Sequence, residues 1–197
     1  MSFITIACMT SVQSPARLRR FLTAAVVGGM VLALSACTPV FLVGDSVMVG
    51  AGPVANDKLD DMGWIPSHDG RVGRQTSEGL SVIQAKRGDT QYFVVELGYN
   101  DAASSSLYRS RLRSVLDELA GAQKVVVVNL AESRSYYVSG NQIIRDEVAA
   151  HPNAVIADWA SIVAYTPGLT GSDGIHLTTK GNERMAQLIA DTLGWAP

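Results

Sequence analysis

The chain has 197 residues, with 16 lysines and arginines against 18 aspartates and glutamates and a formal net charge of −2. That length holds one core of ordinary size and leaves no second apolar-periodic block for another domain. The basic residues beyond residue 70 are scattered, giving no electrostatic footprint for nucleic acid, so DNA and RNA are excluded as main partners.

Residues 1–37 read as an export signal. Arg17, Arg19 and Arg20 precede an apolar, small-residue run from Phe21 to Leu34 that closes on Leu34-Ser35-Ala36-Cys37. The run is about 14 residues, short of the roughly 20 that span a bilayer as a helix, which favours a cleaved signal over a permanent anchor. Its end resembles the bacterial lipobox, and that resemblance implies Cys37 as the lipidated first residue of the mature protein. Against it stands the short spacer, since only Thr38 and Pro39 separate Cys37 from the first strand. A start at Met9 fits the arginines better than Met1, and Cys8 leaves with the signal in either case. The mature chain then has at most one cysteine and no internal disulfide.

Val40-Phe41-Leu42-Val43 is an unbroken apolar run that stops on Gly44-Asp45-Ser46, the pattern of a buried parallel strand whose carboxyl end is where open α/β sheets place ligands. Gly50, Gly52 and Pro53 predict a loop or broken helix from Val47 to Met62. Trp64–His68 is the second strand, and Asp69 to Gln75 is loop in character. Thr76 or Ser77 is expected to cap a helix to about Ala85. Gln91–Leu97 is the clearest central strand, ending on Gly98-Tyr99-Asn100-Asp101. Tyr108, Leu112, Val115, Leu116 and Leu119 recur at helical spacing, with Gly121 as the expected C-cap. Val125–Leu130 makes a fourth strand, Ile143, Ile144 and Val148 a shorter helix, and Ala154–Asp158 a fifth strand. Thr166 to Gly174 reads as a loop, and the last helix carries Met185, Ala186, Leu188, Ile189, Thr192 and Leu193 on one face. Strands alternating with helices imply α/β architecture, a three-layer α/β/α domain with a five-stranded parallel sheet of flavodoxin-like type.

Three stretches carry chemistry. Gly-Asp-Ser alone also suits a turn and a helix N-cap. In Ser172-Asp173-Gly174-Ile175-His176, an acid and a histidine three apart can sit so that the carboxylate accepts the Nδ1 proton and Nε2 faces a serine. Alone, that spacing more often marks a turn-capping aspartate beside a surface histidine. The third stretch is Gly98-Tyr99-Asn100-Asp101 at the end of the central strand.

Together these stretches resemble the SGNH hydrolase superfamily, the GDSL esterases and lipases, with four blocks in order from Val40 to Leu193. The resemblance implies Ser46 as nucleophile, His176 as general base and acid, and Asp173 as its orienter. It implies an oxyanion hole from the backbone N–H groups of Ser46 and Gly73 and the side-chain amide of Asn100. Gly70 is a near alternative to Gly73, which is preferred because it leads directly into the following helix. Val47-Met48 stands where many members have leucine after Gly-Asp-Ser, a form similar to exported SGNH domains associated with membrane acyltransferases of envelope polysaccharides and peptidoglycan. The Gly-x-Ser-x-Gly elbow is not matched, because Met48 stands where its second glycine would be.

The function so implied for residues 38–197 is an exported serine esterase or O-acyltransferase working through an acyl-serine on small O-acyl groups of envelope glycans or lipids. Membrane attachment would run through Cys37. No cofactor or metal is expected, since His68 and His151 have no ligand-like cluster around them. Acceptor choice rests on Ala102–Ser106 and Ser133–Gly140, read as loops. The alternative is an envelope lipoprotein that binds an acylated glycan on the same fold without turning it over. Binding alone would not require Ser46, Asn100, Asp173 and His176 together.

Overall fold

The structure, a computed structural model, describes residues 38–197. Cys37 and the export segment expected over 1–37 lie outside the described residues. Strands β1 (Thr38–Gly44), β2 (Trp64–Gly70), β3 (Tyr92–Glu96), β4 (Lys124–Val128) and β5 (Ala154–Ala157) form one parallel sheet in the order β2-β1-β3-β4-β5. The inner strands read as unbroken apolar runs because both faces of the sheet are covered, and Val40–Val43, Phe93–Val95 and Val125–Val128 are all buried. Helices α1 (Ser46–Asp61) and α6 (Thr179–Leu193) pack on each other, while α2 (Thr76–Lys86), α3 (Ser105–Glu118) and α4 (Ser135–Ala150) pack in a row. Helices therefore cover both sheet faces, as the alternation of elements implies. From β1 the chain crosses to β2 on one side and then on to β3 on the other, so the switch point of the sheet lies beyond Gly44 and Glu96.

The stretch expected to be a loop or broken helix is instead the continuous helix α1. Its glycines answer to close packing rather than flexibility. A Cβ on Gly50 would lie 2.7 Å from Asn182 Oδ1, and one on Gly52 would lie 2.6 Å from the His68 ring. Pro53 removes one i to i−4 bond at a cost of about 3 kcal/mol. Burial of Val47, Met48 and Leu59, each contributing up to about 1.5–3 kcal/mol, with smaller terms from Ala51 and Ala55, carries the helix through it.

Other ends also differ from expectation. The residue capping α2 is Gln75, whose N–H donates to Glu78 Oε2 at 2.8 Å, whereas Thr76 is buried against Asp101. Helix α3 stops at Leu119, whose N–H reaches the Val115 and Leu116 carbonyls, so Gly121 is not its cap. Helix α4 starts at Ser135 and is longer than expected, turning most of the supposed Ser133–Gly140 loop into helix. Ser105 and Ser106 likewise belong to α3. A short helix, α5 (Trp159–Tyr165), follows β5 where none was anticipated, capped by Asp158 and anchored by the buried Trp159.

Candidate active site

Ser46 is the first residue of α1, standing where β1 ends. The turn from strand to helix is tight: a Cβ on Gly44 would lie 2.3 Å from Met48 Cβ and 2.8 Å from Glu96 Oε2. Asp45 caps the helix, its Oδ1 accepting the Val47 N–H at 3.0 Å. The capping reading of Gly-Asp-Ser holds and is compatible with the chemical one, since the cap fixes the turn that presents the Ser46 hydroxyl.

His176 and Asp173 lie on the loop before α6. That loop is closed by Gly171 N–H to His176 O at 2.8 Å and Thr178 N–H to Leu169 O at 3.0 Å, and Thr178 caps α6. Gly174 adopts φ +73°, a left-handed conformation suited to glycine. Asp173 Oδ1 accepts the N–H groups of Ile175 (2.9 Å) and His176 (3.1 Å), and Oδ2 accepts His176 Nδ1–H at 2.6 Å. His176 Nε2 faces Ser46 Oγ at 3.0 Å across 130 residues of sequence. The His176 hydrogen bond, aided by the Ile175 N–H, holds the Asp173 carboxyl down at about 2. Asp173 is then ionised, which fixes the Nδ1–H tautomer and leaves Nε2 as the acceptor for the serine proton.

Asn100 lies just beyond β3. Its amide donates to Arg74 O at 3.0 Å and, over a longer 3.3 Å, to Asp45 Oδ2. Gly73 sits at φ +73° in the turn before α2, and its N–H, like that of Ser46, meets no acceptor among the described residues. Gly70 instead ends β2, where its lack of a side chain admits α1: a Cβ there would lie 2.6 Å from Val49 N. The structure thus gathers Ser46, His176 and Asp173 in one hydrogen-bonded line, with Asn100 tied to Asp45 beside it. A serine, a base with its orienter and free N–H groups at a helix N-terminus are the parts of nucleophilic acyl transfer.

No family model matches the chain. The O-acetyltransferase OatA of Staphylococcus aureus (strain NCTC 8325 / PS 47) is 32% identical over 158 residues, which are 77% of this chain but 24% of that protein. The chain therefore spans about a quarter of the length of the curated relatives it matches. Among solved structures, the C-terminal catalytic domain of Streptococcus pneumoniae peptidoglycan O-acetyltransferase A superposes with a TM-score of 0.68 at 20% identity, covering 80% of this chain and 92% of that one. The acetylxylan esterase Axe2 of Geobacillus stearothermophilus reaches 0.64 at 11% identity, covering 80% and 94%. The chain shares the fold of these two domains.

The site carries further polar groups that motif reading did not single out. Arg74 is 3% exposed, and its guanidinium donates to Gly44 O at 2.9 Å, to Asp69 O, and to Asp69 Oδ1 at 2.5 Å, tying the end of β1 to the loop after β2. Asp101 accepts from Thr76 N (3.0 Å), Thr76 Oγ1 (2.9 Å) and Arg111 (3.1 Å), joining the Asn100 turn to α2. Glu96, 1% exposed, accepts the Asp45 N–H at 3.3 Å. Burial pushes the Asp45 carboxyl up to about 6, against the pull of the Val47 and Tyr99 N–H groups. Burial and the neighbouring Asp45 charge push Glu96 well above the ordinary carboxylate range. The one signal for Glu96 was an acid inside an apolar strand. His68 and His151 are engaged elsewhere, with Asn56 at 2.9 Å and Asp117 at 3.2 Å. Among the described residues no group of three or more His, Cys, Asp or Glu is arranged to hold a metal.

Proposed function

We propose that this chain is a serine-dependent O-acyltransferase or esterase working on small O-acyl groups of cell-envelope glycans, with O-acetyl groups of peptidoglycan the leading substrate. The observation that carries this reading is the unbroken line Asp173–His176–Ser46, at 2.6 and 3.0 Å. The peptidoglycan substrate rests on the names of the O-acetyltransferase relatives. Ser46 Oγ attacks an ester carbonyl while His176 Nε2 takes its proton, and the oxyanion is met by the N–H groups of Ser46 and Gly73 and by the Asn100 amide. The long Asn100 contact to Asp45 is the one an oxyanion would share. Collapse of the tetrahedral intermediate, with His176 returning the proton to the leaving oxygen, gives an acyl-Ser46. A glycan hydroxyl or water, deprotonated by His176, then releases the acyl group. A cavity of about 220 Å³ lined by Ala131, Ser133, Thr170 and Gly174 flanks the catalytic loop and offers room beside it. Export and attachment through a lipid on Cys37 belong to the same proposal. No helix of the described residues is long and apolar enough to cross a membrane.

The test is hydrolysis of p-nitrophenyl acetate by residues 38–197, with Ser46→Ala as control. Losing the nucleophile of such a triad typically costs about a million-fold in rate. Ser46→Ala should therefore abolish turnover while the circular dichroism spectrum and melting temperature stay near wild type. Residual activity within about tenfold would remove Ser46 from this role.

A further inference from the structure

Two carboxyl groups lie buried one beneath the other directly under the nucleophile. Asp45 is 0% and Glu96 1% exposed, and both the N–H of Asp45 and the space a Gly44 Cβ would fill meet Glu96 Oε2, at 3.3 and 2.8 Å. Among the described residues no neighbouring element offers them a free cation. Arg74, on the loop after β2, is committed to Gly44 O and Asp69. On the β3 side stand Tyr99, whose hydroxyl accepts from the Ala131 N–H, and, from α3, Tyr108, which donates to Leu97 O. His176 faces Asp45 across Ser46, with Nδ1 committed to Asp173. Two adjacent carboxylates without a cation in a dry site cannot both be charged. Glu96 Oε1 is, besides, buried without a hydrogen-bond partner.

We propose that Glu96 is a positioning residue that keeps its proton at neutral pH and braces Asp45 from below, its Oε2 accepting the Asp45 N–H. Braced in this way, Asp45 links the nucleophile to the oxyanion side: Oδ1 holds the first turn of α1 through Val47 N–H, and Oδ2 holds the Asn100 amide. Glu96 touches no substrate and acts through Asp45. The role Asn100 plays in this chain rests on the function proposed above.

Three measurements test it. A difference infrared spectrum, wild type minus Glu96→Gln at pH 7, should show the carbonyl band of one protonated carboxylic acid that shifts on deuteration. This reading needs no turnover, so it stands even where the functional reading fails. In kinetics on p-nitrophenyl acetate, Glu96→Gln, whose amide is also a neutral donor, should keep kcat within about threefold, while Glu96→Leu should lower kcat roughly ten- to a hundredfold at nearly constant KM. Combining Glu96→Leu with Asn100→Ala should cost clearly less than the sum of the two, since both act on one unit. No protonated-acid band in the difference spectrum overturns the proposal. So does a wild-type kcat in Glu96→Leu, a loss in Glu96→Gln as large as in Leu, or strict additivity with Asn100→Ala. Where the Leu variant does not fold, the infrared band and the Gln kinetics decide alone.

Discussion

Asn100 serves two masters, and kinetics separate them. Its amide joins Arg74 O to Asp45 Oδ2, an internal tie worth about 1 kcal/mol per bond, and in the proposed mechanism the same hydrogens meet charge that exists only in the transition state. A group of the second kind lowers kcat and leaves KM nearly alone when it is lost. Asn100→Ala is therefore expected to reduce kcat by roughly a hundred- to a thousandfold, about 3–4 kcal/mol of barrier, at near-constant KM. The alternative, that Asn100 only fixes the turn after β3, predicts a lower melting temperature with KM and kcat disturbed together. Steady-state kinetics and a thermal melt on one preparation tell the two apart, and an unchanged kcat would take Asn100 out of the oxyanion hole.

Helix α1 shows how packing overrides local signals. Gly50, Gly52 and Pro53 are helix breakers by propensity, yet the helix runs through all three because close neighbours exclude any side chain at two of them. Gly52→Ala should improve helix propensity and still destabilise the domain, by about 1–3 kcal/mol in urea titrations, because the methyl meets the His68 ring that Asn56 holds at 2.9 Å. A gain in stability would mean that the His68 ring yields. The same lesson explains what could be read from the sequence. Strand positions followed from unbroken apolar runs such as Val40–Val43, whose meaning hardly depends on context. The ends of helices did not, since Gln75 caps α2 only because Thr76 is drawn to Asp101, 25 residues away. The motif residues Ser46, Asn100, Asp173 and His176 could be singled out because the resemblance to SGNH hydrolases runs through short local blocks, none of which decides the chemistry alone. Arg74 and Glu96 were not, because a buried ionisable group is recognisable only once its distant partners, Gly44 O for Arg74 and Asp45 for Glu96, are in place.

Taken whole, the molecule has two properties that bulk measurements reach. If Cys37 carries a lipid, the full-length exported protein should partition into detergent and gain the mass of a diacylglyceryl group, and Cys37→Ser should lose both. An unmodified Cys37 in an intact-mass spectrum would overturn that attachment. The second property is the pH dependence of folding that the buried carboxyl pair imposes. Glu96 lies well above the ordinary carboxylate range in the fold, through burial first and the Asp45 charge second. The unfolded chain gives up this proton near the ordinary glutamate value of about 4.3, whereas the folded chain keeps it. Over that window the native state binds more protons than the unfolded one, so this group makes stability fall as pH rises, by about 1.4 kcal/mol per pH unit for one retained proton. Asp173 has the opposite sign: its carboxyl is held down at about 2, and its contribution is lost as pH falls from about 4 towards 2, outside the window that Glu96 governs. Asp69 and Glu147, lowered chiefly by Lys86 and Arg113, and Glu118, lowered by the Gln84 amide and then by Arg87, also stabilise the fold above about pH 4. Subtracting the pH profile of Glu96→Gln from that of the wild type cancels these other groups. Urea titrations from pH 5 to pH 7 should show the variant gaining on the wild type as pH rises. Parallel profiles would show that Glu96 is ionised in the fold, and would end the case for a proton held beneath Ser46.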